Sequence, residues 1–227
     1  MSDVNNRMYI EDGRYKYTVF YYTVCRAFSM LYDWIGRFEI AGTEHIPADG
    51  PFLLASNHCS HLDPPLVGGQ LMREINFLAR KTLWCSPFMS WVYDNLKCIP
   101  IDRDGGGADV AAFKKLFGLI KKGEAIGVFP EGTRSLDGKL AAAKAGIGML
   151  ACKFKVPVVP ARVFGTFETL GSHRKPSWQH DLAVNYAPAL YPKDFDPGPS
   201  DPDRYQVAAD RIMQAIAKIE WPEPPKW

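Results

Sequence analysis

The chain has 227 residues, 47% of them hydrophobic and 23% charged, enough apolar material for one domain of ordinary size with a sizeable core. A formal net charge of +2 lacks the strongly basic balance of a nucleic-acid binder, so any electrostatic argument rests on local placement. The five cysteines are odd in number and none stands in Cys-x-x-Cys spacing, which argues against a disulfide framework or structural zinc site and fits a reducing compartment.

The stretch up to Arg14 is polar and contains no apolar segment of the kind that a secretory signal needs. From Tyr15 to Ile40, Phe20, Val24, Ala27, Phe28, Leu31 and Ile35 recur at helical spacing, with Arg26, Asp33 and Arg37 on the opposite side. Those charges disfavour a membrane-crossing helix, which needs about 20 largely apolar residues. Tyr15, Tyr17, Tyr21, Tyr22, Tyr32 and Trp34 enrich the segment in side chains that favour a membrane interface. Two readings stand side by side: a helix docked on its own domain, and an amphipathic helix lying in the headgroup region. We expect residues 1–40 to form a membrane-associating segment and residues 41–227 the main domain.

A short strand and turn follow over Ile40 to Gly50, then a buried strand, Phe52 to Ala55. Pro64-Pro65 suits a first helical turn, and the pattern predicts a helix running to about Arg73. Ile75 to Ala79 reads as a strand, Thr82 to Tyr93 as an aromatic segment, and Cys98 to Ile101 as a short apolar run. Asp104-Gly105-Gly106-Gly107 lacks the Lys-Ser/Thr of a phosphate-cradling loop and reads as a connector. The next helix, Ala108 to Lys122, exposes four lysines, a solvated face first and an anionic-membrane face second. Further strands are expected at Ala125 to Phe129, Val156 to Val163 and Leu182 to Tyr186, and further helices at Ala141 to Phe154 and Asp203 to Glu220. Strands alternating with helices predict an α/β fold with a mostly parallel or mixed central sheet flanked by helices.

Chemistry concentrates where the buried strand ends, in Asn57-His58-Cys59-Ser60-His61-Leu62-Asp63. A histidine takes a proton near neutral pH, and a carboxylate five residues on fixes its tautomer and stabilises the imidazolium, the minimal kit for a general base. Asp63 before two prolines is also a good helix cap, and a carboxylate has oxygens for both roles. A metal site on His58, His61 and Asp63 ranks lower, because His45, His173 and His180 do not cluster with them in the way zinc ligands do. Cys59 as nucleophile ranks lower still, since neighbours in an extended segment point to opposite sides. Downstream, Gly132 lets backbone approach an anion and Arg134 can grip phosphate, while Arg103 directly follows another apolar run. A base at one strand end and arginines at two others converge on one mouth in such a sheet.

These stretches together resemble the glycerolipid acyltransferase family, and within it the bacterial-type 1-acylglycerol-3-phosphate acyltransferases. Asn57-His58 with Asp63 resembles its first block, Ile99-Pro100-Ile101-Asp102-Arg103 its second, Phe129-Pro130-Glu131-Gly132-Thr133-Arg134-Ser135 its third and Val156-Pro157-Val158-Val159-Pro160 its fourth. One departure is Lys97, where the family usually has a small residue, often glycine. The resemblance implies acyl transfer from acyl-CoA or acyl-carrier protein to the sn-2 hydroxyl of lysophosphatidic acid, giving phosphatidic acid, at the cytoplasmic face of a membrane; the alternatives are another acceptor (glycerol 3-phosphate, another lysophospholipid or a lyso-aminolipid) and a non-catalytic lipid-binding protein of the same fold. It makes His58 the base and Asp63 its orienting partner. It puts Arg103 and Arg134 on the acceptor phosphate, with Glu131, Gly132 and Thr133 shaping the site and Pro160 on the donor side. His61 is read as a bystander, and no cofactor is implied.

Overall fold

A computed structural model describes residues 9–12, 15–71, 73–101 and 110–222 of the chain. Its centre is a seven-stranded sheet built from β3 (Phe38–Ala41), β4 (Leu53–Ser56), β5 (Ile75–Arg80), β6 (Ile99–Ile101), β7 (Ala125–Val128), β8 (Val158–Phe164) and β9 (Leu182–Tyr186). The spatial order is β3-β9-β8-β4-β7-β5-β6. Neighbours run parallel except β8 and β9, so β9 and β3 oppose the other five strands. The sheet is therefore mixed and mostly parallel.

β4 and β7 sit in the middle and are buried along their whole length. Covered on both faces, such strands read as continuous apolar runs rather than alternating ones. Leu53 and Ala55 face a core shared with α4 (Val110–Lys121), α5 (Ala145–Phe154) and α8 (Arg204–Ala217). Phe52 and Leu54 face a second core, to which α1 (Val19–Ile35) contributes Tyr32 and Ile35, and α2 (Asp63–Gly68) contributes Leu66 and Val67. The remaining helices are α3 (Pro87–Asn95), α6 (Thr166–Leu170) and α7 (Pro192–Phe195).

Several boundaries differ from the expectation, each for a visible reason. Tyr15–Thr18 is not helical but forms β2, paired antiparallel with β1 (Tyr9–Asp12). Thr18 ends that strand with its backbone and hydroxyl both bonded to Glu74 Oε1, at 2.8 and 2.7 Å. α2 stops at Gly68 rather than near Arg73, whose guanidinium instead donates to the carbonyls of Pro47, Gly50 and Gly123. α5 begins at Ala145 rather than Ala141, because the amides of Ala141 and Lys144 are already bonded to Glu131 Oε2 and the Pro130 carbonyl. The connector 104–107 lies outside the described residues.

Among the described residues no helix is long and apolar enough to cross a membrane. α1 buries Tyr21, Cys25, Tyr32 and Ile35, while Met30 and Trp34 are exposed.

Candidate active site

Parallel strands β4, β7 and β5 deliver their C-terminal ends to one edge of the sheet, the edge where α/β proteins build sites. His58 leaves β4 there. Its Nδ1 lies 2.8 Å from Asp63 Oδ2. A carboxylate only accepts, so Nδ1 carries the proton and Nε2 keeps its lone pair. The ring also lies flat on Phe129, with centroids 4.0 Å apart and planes 16° from parallel. Phe129 in turn stacks on Phe77 of β5 at 5.7 Å. Opposite Phe77 stands Gly127, where a Cβ would come within 2.3 Å of the ring, so the strand itself makes room for the stack.

Asp63 is fully buried, and its Oδ2 also accepts from the amides of Cys59 and Ser60 at 2.6 and 2.7 Å. This corrects the capping role expected from sequence. The donors belong to the turn before α2, and no side-chain cap bond is made at the helix start. The carboxylate is thus held by the same turn that presents His58, and its Oδ2 faces the imidazole.

Asn57 extends the β4–β8 pairing with its side chain, accepting from the Val163 amide at 2.8 Å and donating to its carbonyl at 3.1 Å. Cys59 is buried, and burial first, then the carboxylates of Asp63 and Glu131, push its thiol up to about 12. A protonated, buried thiol is no nucleophile, which removes that alternative. Among the described residues no group of three or more His, Cys, Asp or Glu is gathered as metal ligands.

The loop after β7 is tied directly to His58. Glu131 Oε1 accepts from the His58 amide at 2.9 Å, and the Ser135 amide donates to the His58 carbonyl at 2.7 Å. Glu131 is buried, which raises its pKa, while its bonds from the Ala141 and His58 amides pull the other way. Gly132 sits in the left-handed region at φ 70°, a conformation costly for other residues. Thr133 is exposed and Arg134 partly exposed, and Arg134 enters no ion pair among the described residues. His61 belongs to the same neighbourhood. Its pKa is lowered, first by partial burial and then by the positive charges of Arg134 and His58.

Arg103 lies outside the described residues. Pro160 is buried inside β8, in register with Ala55 of β4, below the strand ends that carry His58. One site cation was not expected. A Cβ at Gly132 would stand 3.0 Å from Cδ and 3.2 Å from Nζ of Lys144, so that lysine lies across the glycine turn. No local pattern marks Lys144; only the hairpin path from Pro130 back to its amide brings it there. Arg80 and Lys81, at the end of β5, share the same edge.

A chloroplastic 1-acyl-sn-glycerol-3-phosphate acyltransferase of Brassica napus is 35% identical over 129 residues, 56% of this chain and 37% of its own length. The 1-acyl-sn-glycerol-3-phosphate acyltransferase of Bacillus subtilis is 26% identical over 201 residues, covering 88% of this chain and 96% of that protein. The chain thus spans little more than a third of the plant relative and nearly all of the bacterial one. Among solved structures, the 1-acyl-sn-glycerophosphate (LPA) acyltransferase PlsC of Thermotoga maritima superposes with a TM-score of 0.72 at 25% identity, over 89% of this chain and 81% of that one. The profile of the Acyltransferase family matches residues 37–163, more than half of the chain and the span that holds His58, Asp63 and the glycine-arginine loop, and the chain belongs to that family.

Proposed function

We propose that the protein is a 1-acylglycerol-3-phosphate O-acyltransferase, moving a fatty acyl group from a thioester donor to the sn-2 hydroxyl of lysophosphatidic acid to give phosphatidic acid. The observation that carries this reading is the union of the His58–Asp63 pair with the Arg134 loop through the two backbone bonds at His58. Nε2 of His58, whose lone pair is set by Asp63 on Nδ1, takes the hydroxyl proton as the oxygen attacks the thioester carbonyl. The imidazolium, stabilised by the buried carboxylate, then returns the proton to the departing thiolate. Proton transfer by a positioned base contributes roughly 10²–10⁴-fold.

The acceptor phosphate is assigned to Arg134 and Arg103, with Gly132 allowing close backbone approach and Thr133 at the loop tip. Glu131 holds the loop to the base rather than touching substrate. Pro160, buried beside β4, shapes the donor side from beneath. The donor is acyl-CoA or acyl-carrier protein. Residues 1–40 bring the mouth to the cytoplasmic face of the membrane, where both lipids reside. Exposed Trp34, 74% accessible, pairs with Trp178 at 6.3 Å on the same edge as the site, the arrangement that favours an interface.

The test is a panel of acceptors (lysophosphatidic acid, glycerol 3-phosphate and other lysophospholipids) assayed with the purified chain and its His58→Ala variant. The highest kcat/KM is expected with lysophosphatidic acid, and the variant should fall by roughly 10²–10⁴-fold. Near-normal turnover by His58→Ala would overturn the mechanism. A preference for another acceptor would keep the chemistry and change the substrate.

A further inference from the structure

The loop that follows α6 lies against the catalytic turn. Ser60 bridges to Gly171 and its hydroxyl donates to the Leu170 carbonyl at 2.8 Å. Farther on, the Ser177 amide returns to the Thr169 carbonyl and the Gln179 amide to that of Ile35, so the loop is anchored at both ends. Between these anchors His173, Arg174 and Lys175 are all exposed.

Arg174 is placed rather than loose. Its guanidinium stands over the Phe167 ring at 5.1 Å from the centroid. The ring is seated between two glycines: a Cβ at Gly138 would come within 2.7 Å of Cδ1, and one at Gly171 within 2.7 Å of Cδ2. Gly138 belongs to the Arg134 loop and Gly171 to the Arg174 loop, so Phe167 joins the two and presents Arg174 on its outer face. Among the described residues Arg174 and Lys175 enter no ion pair. A cation stacked on an aromatic ring, without a carboxylate partner, suits an anion brought by a ligand.

The two substrates carry their phosphates at different distances from the reacting atoms. In lysophosphatidic acid the sn-2 hydroxyl is only a few bonds from the phosphate, so that phosphate has to lie close to His58, where Arg134 stands. In a thioester donor the whole pantetheine arm separates the carbonyl from the first phosphate. We propose, on the acyl-transfer reading above, that Arg174 and Lys175 bind the phosphate at the end of the pantetheine arm of the acyl donor. That group is common to acyl-CoA and acyl-carrier protein, and the arm runs from the site past Ser60 and Phe167 to reach it.

The experiment uses the full chain and the Arg174→Ala/Lys175→Ala double variant, with circular dichroism to verify that both are folded. CoA, and separately carrier protein bearing its phosphopantetheine, are titrated calorimetrically, which needs no turnover. In parallel the donor KM is measured for acyl-CoA, acyl-carrier protein and S-acyl-pantetheine, which has no phosphate. The wild type should favour the phosphate-bearing donor in KM, and the double variant should lose roughly tenfold of that preference, the factor expected for one charge-assisted contact. Weakening with CoA or with the carrier protein identifies the natural source. Binding that is equal in both proteins, or a preference that survives the double substitution, overturns the proposal. If CoA binds and the variant weakens it while no acceptor is acylated, the acyl-transfer reading fails and the phosphate site stands.

Discussion

Asp63→Asn isolates the electrostatic share of the base's activation. The amide is nearly isosteric, and its oxygen retains the bonds from the Cys59 and Ser60 amides that hold the turn. Asp63→Ala would instead strand both donors in a buried place, at about 1–3 kcal/mol each, and confuse folding with chemistry. What Asn removes is a negative charge 2.8 Å from the imidazole at the moment it becomes imidazolium. At that separation and an effective dielectric of roughly 20, the attraction is about 6 kcal/mol, an upper bound on the loss. Counting half to most of it as felt in the transition state gives a kcat lower by roughly 10²–10⁴-fold, since each 1.36 kcal/mol is a decade. The acceptor KM should hardly move, because Arg134 is untouched. The assay is steady-state release of free thiol from acyl-CoA at saturating lysophosphatidic acid, beside a thermal melt. A folded Asp63→Asn protein with kcat within about threefold of wild type would refute the charge argument.

Three further outcomes follow from the fold. Gly127→Ala pushes a methyl into the Phe77 ring and disturbs the stack that carries Phe129 and His58; overpacking of about 1–3 kcal/mol is expected, with a lowered Tm and a fall in kcat, and an unchanged melt and rate would contradict it. Lys97→Gly relieves a left-handed residue at φ 59° but leaves Glu74 without its 2.9 Å partner. The strain is worth about 1–2 kcal/mol; the lost charge-assisted bond to part-buried Glu74, which keeps its two Thr18 bonds, about 1.5–3, and the added chain freedom of glycine about 0.5–1, so a small net destabilisation is predicted, and a higher Tm would reverse that ranking. Asp196 is held well below its ordinary value of 3.8 by the hydrogen bonds from Arg204, at 2.7 and 2.6 Å. A depressed carboxylate contributes stability above its ordinary pKa and loses it as pH falls through the folded value. Wild type should therefore exceed Asp196→Asn in Tm at neutral pH and converge on it in strong acid; a constant gap would show the pair is not the source.

Much of the site was legible because strand ends write short local patterns. An apolar run followed by Asn57-His58 and Asp63 marks a histidine–carboxylate pair without reference to anything distant, and the structure brings the two within 2.8 Å; Arg134 after Gly132 marks a candidate anion loop in the same way. What the sequence hides is long-range. Glu131 reads as a substrate-site carboxylate, yet its two oxygens are taken by amides of residues 58 and 141, which no spacing reveals. Phe129 reads as the last residue of a strand, and its place under the imidazole depends on Gly127 and Phe77 of two paired strands. Lys97 looks like a departure from the family pattern; the left-handed backbone explains the glycine usual there, and Glu74 explains how a lysine is accommodated. The β1–β2 pairing and the short helices α6 and α7 are too brief to show a period, so their tertiary contacts decide them.

The bonds that join His58 to Glu131 and Ser135 have one more consequence. They join the His58 backbone to the glycine-arginine loop, directly from the Ser135 amide and through the Glu131 carboxylate. On the mechanism proposed above, these bonds help to set the span from Nε2 to the anion loop. The hydroxyl at that span from its own phosphate is then the one expected to lose its proton, and its neighbour on the same glycerol is not. On this view regiochemistry resides in two amide hydrogen bonds, and redesigning the rim to accept other acyl chains or headgroups leaves unchanged which oxygen is esterified.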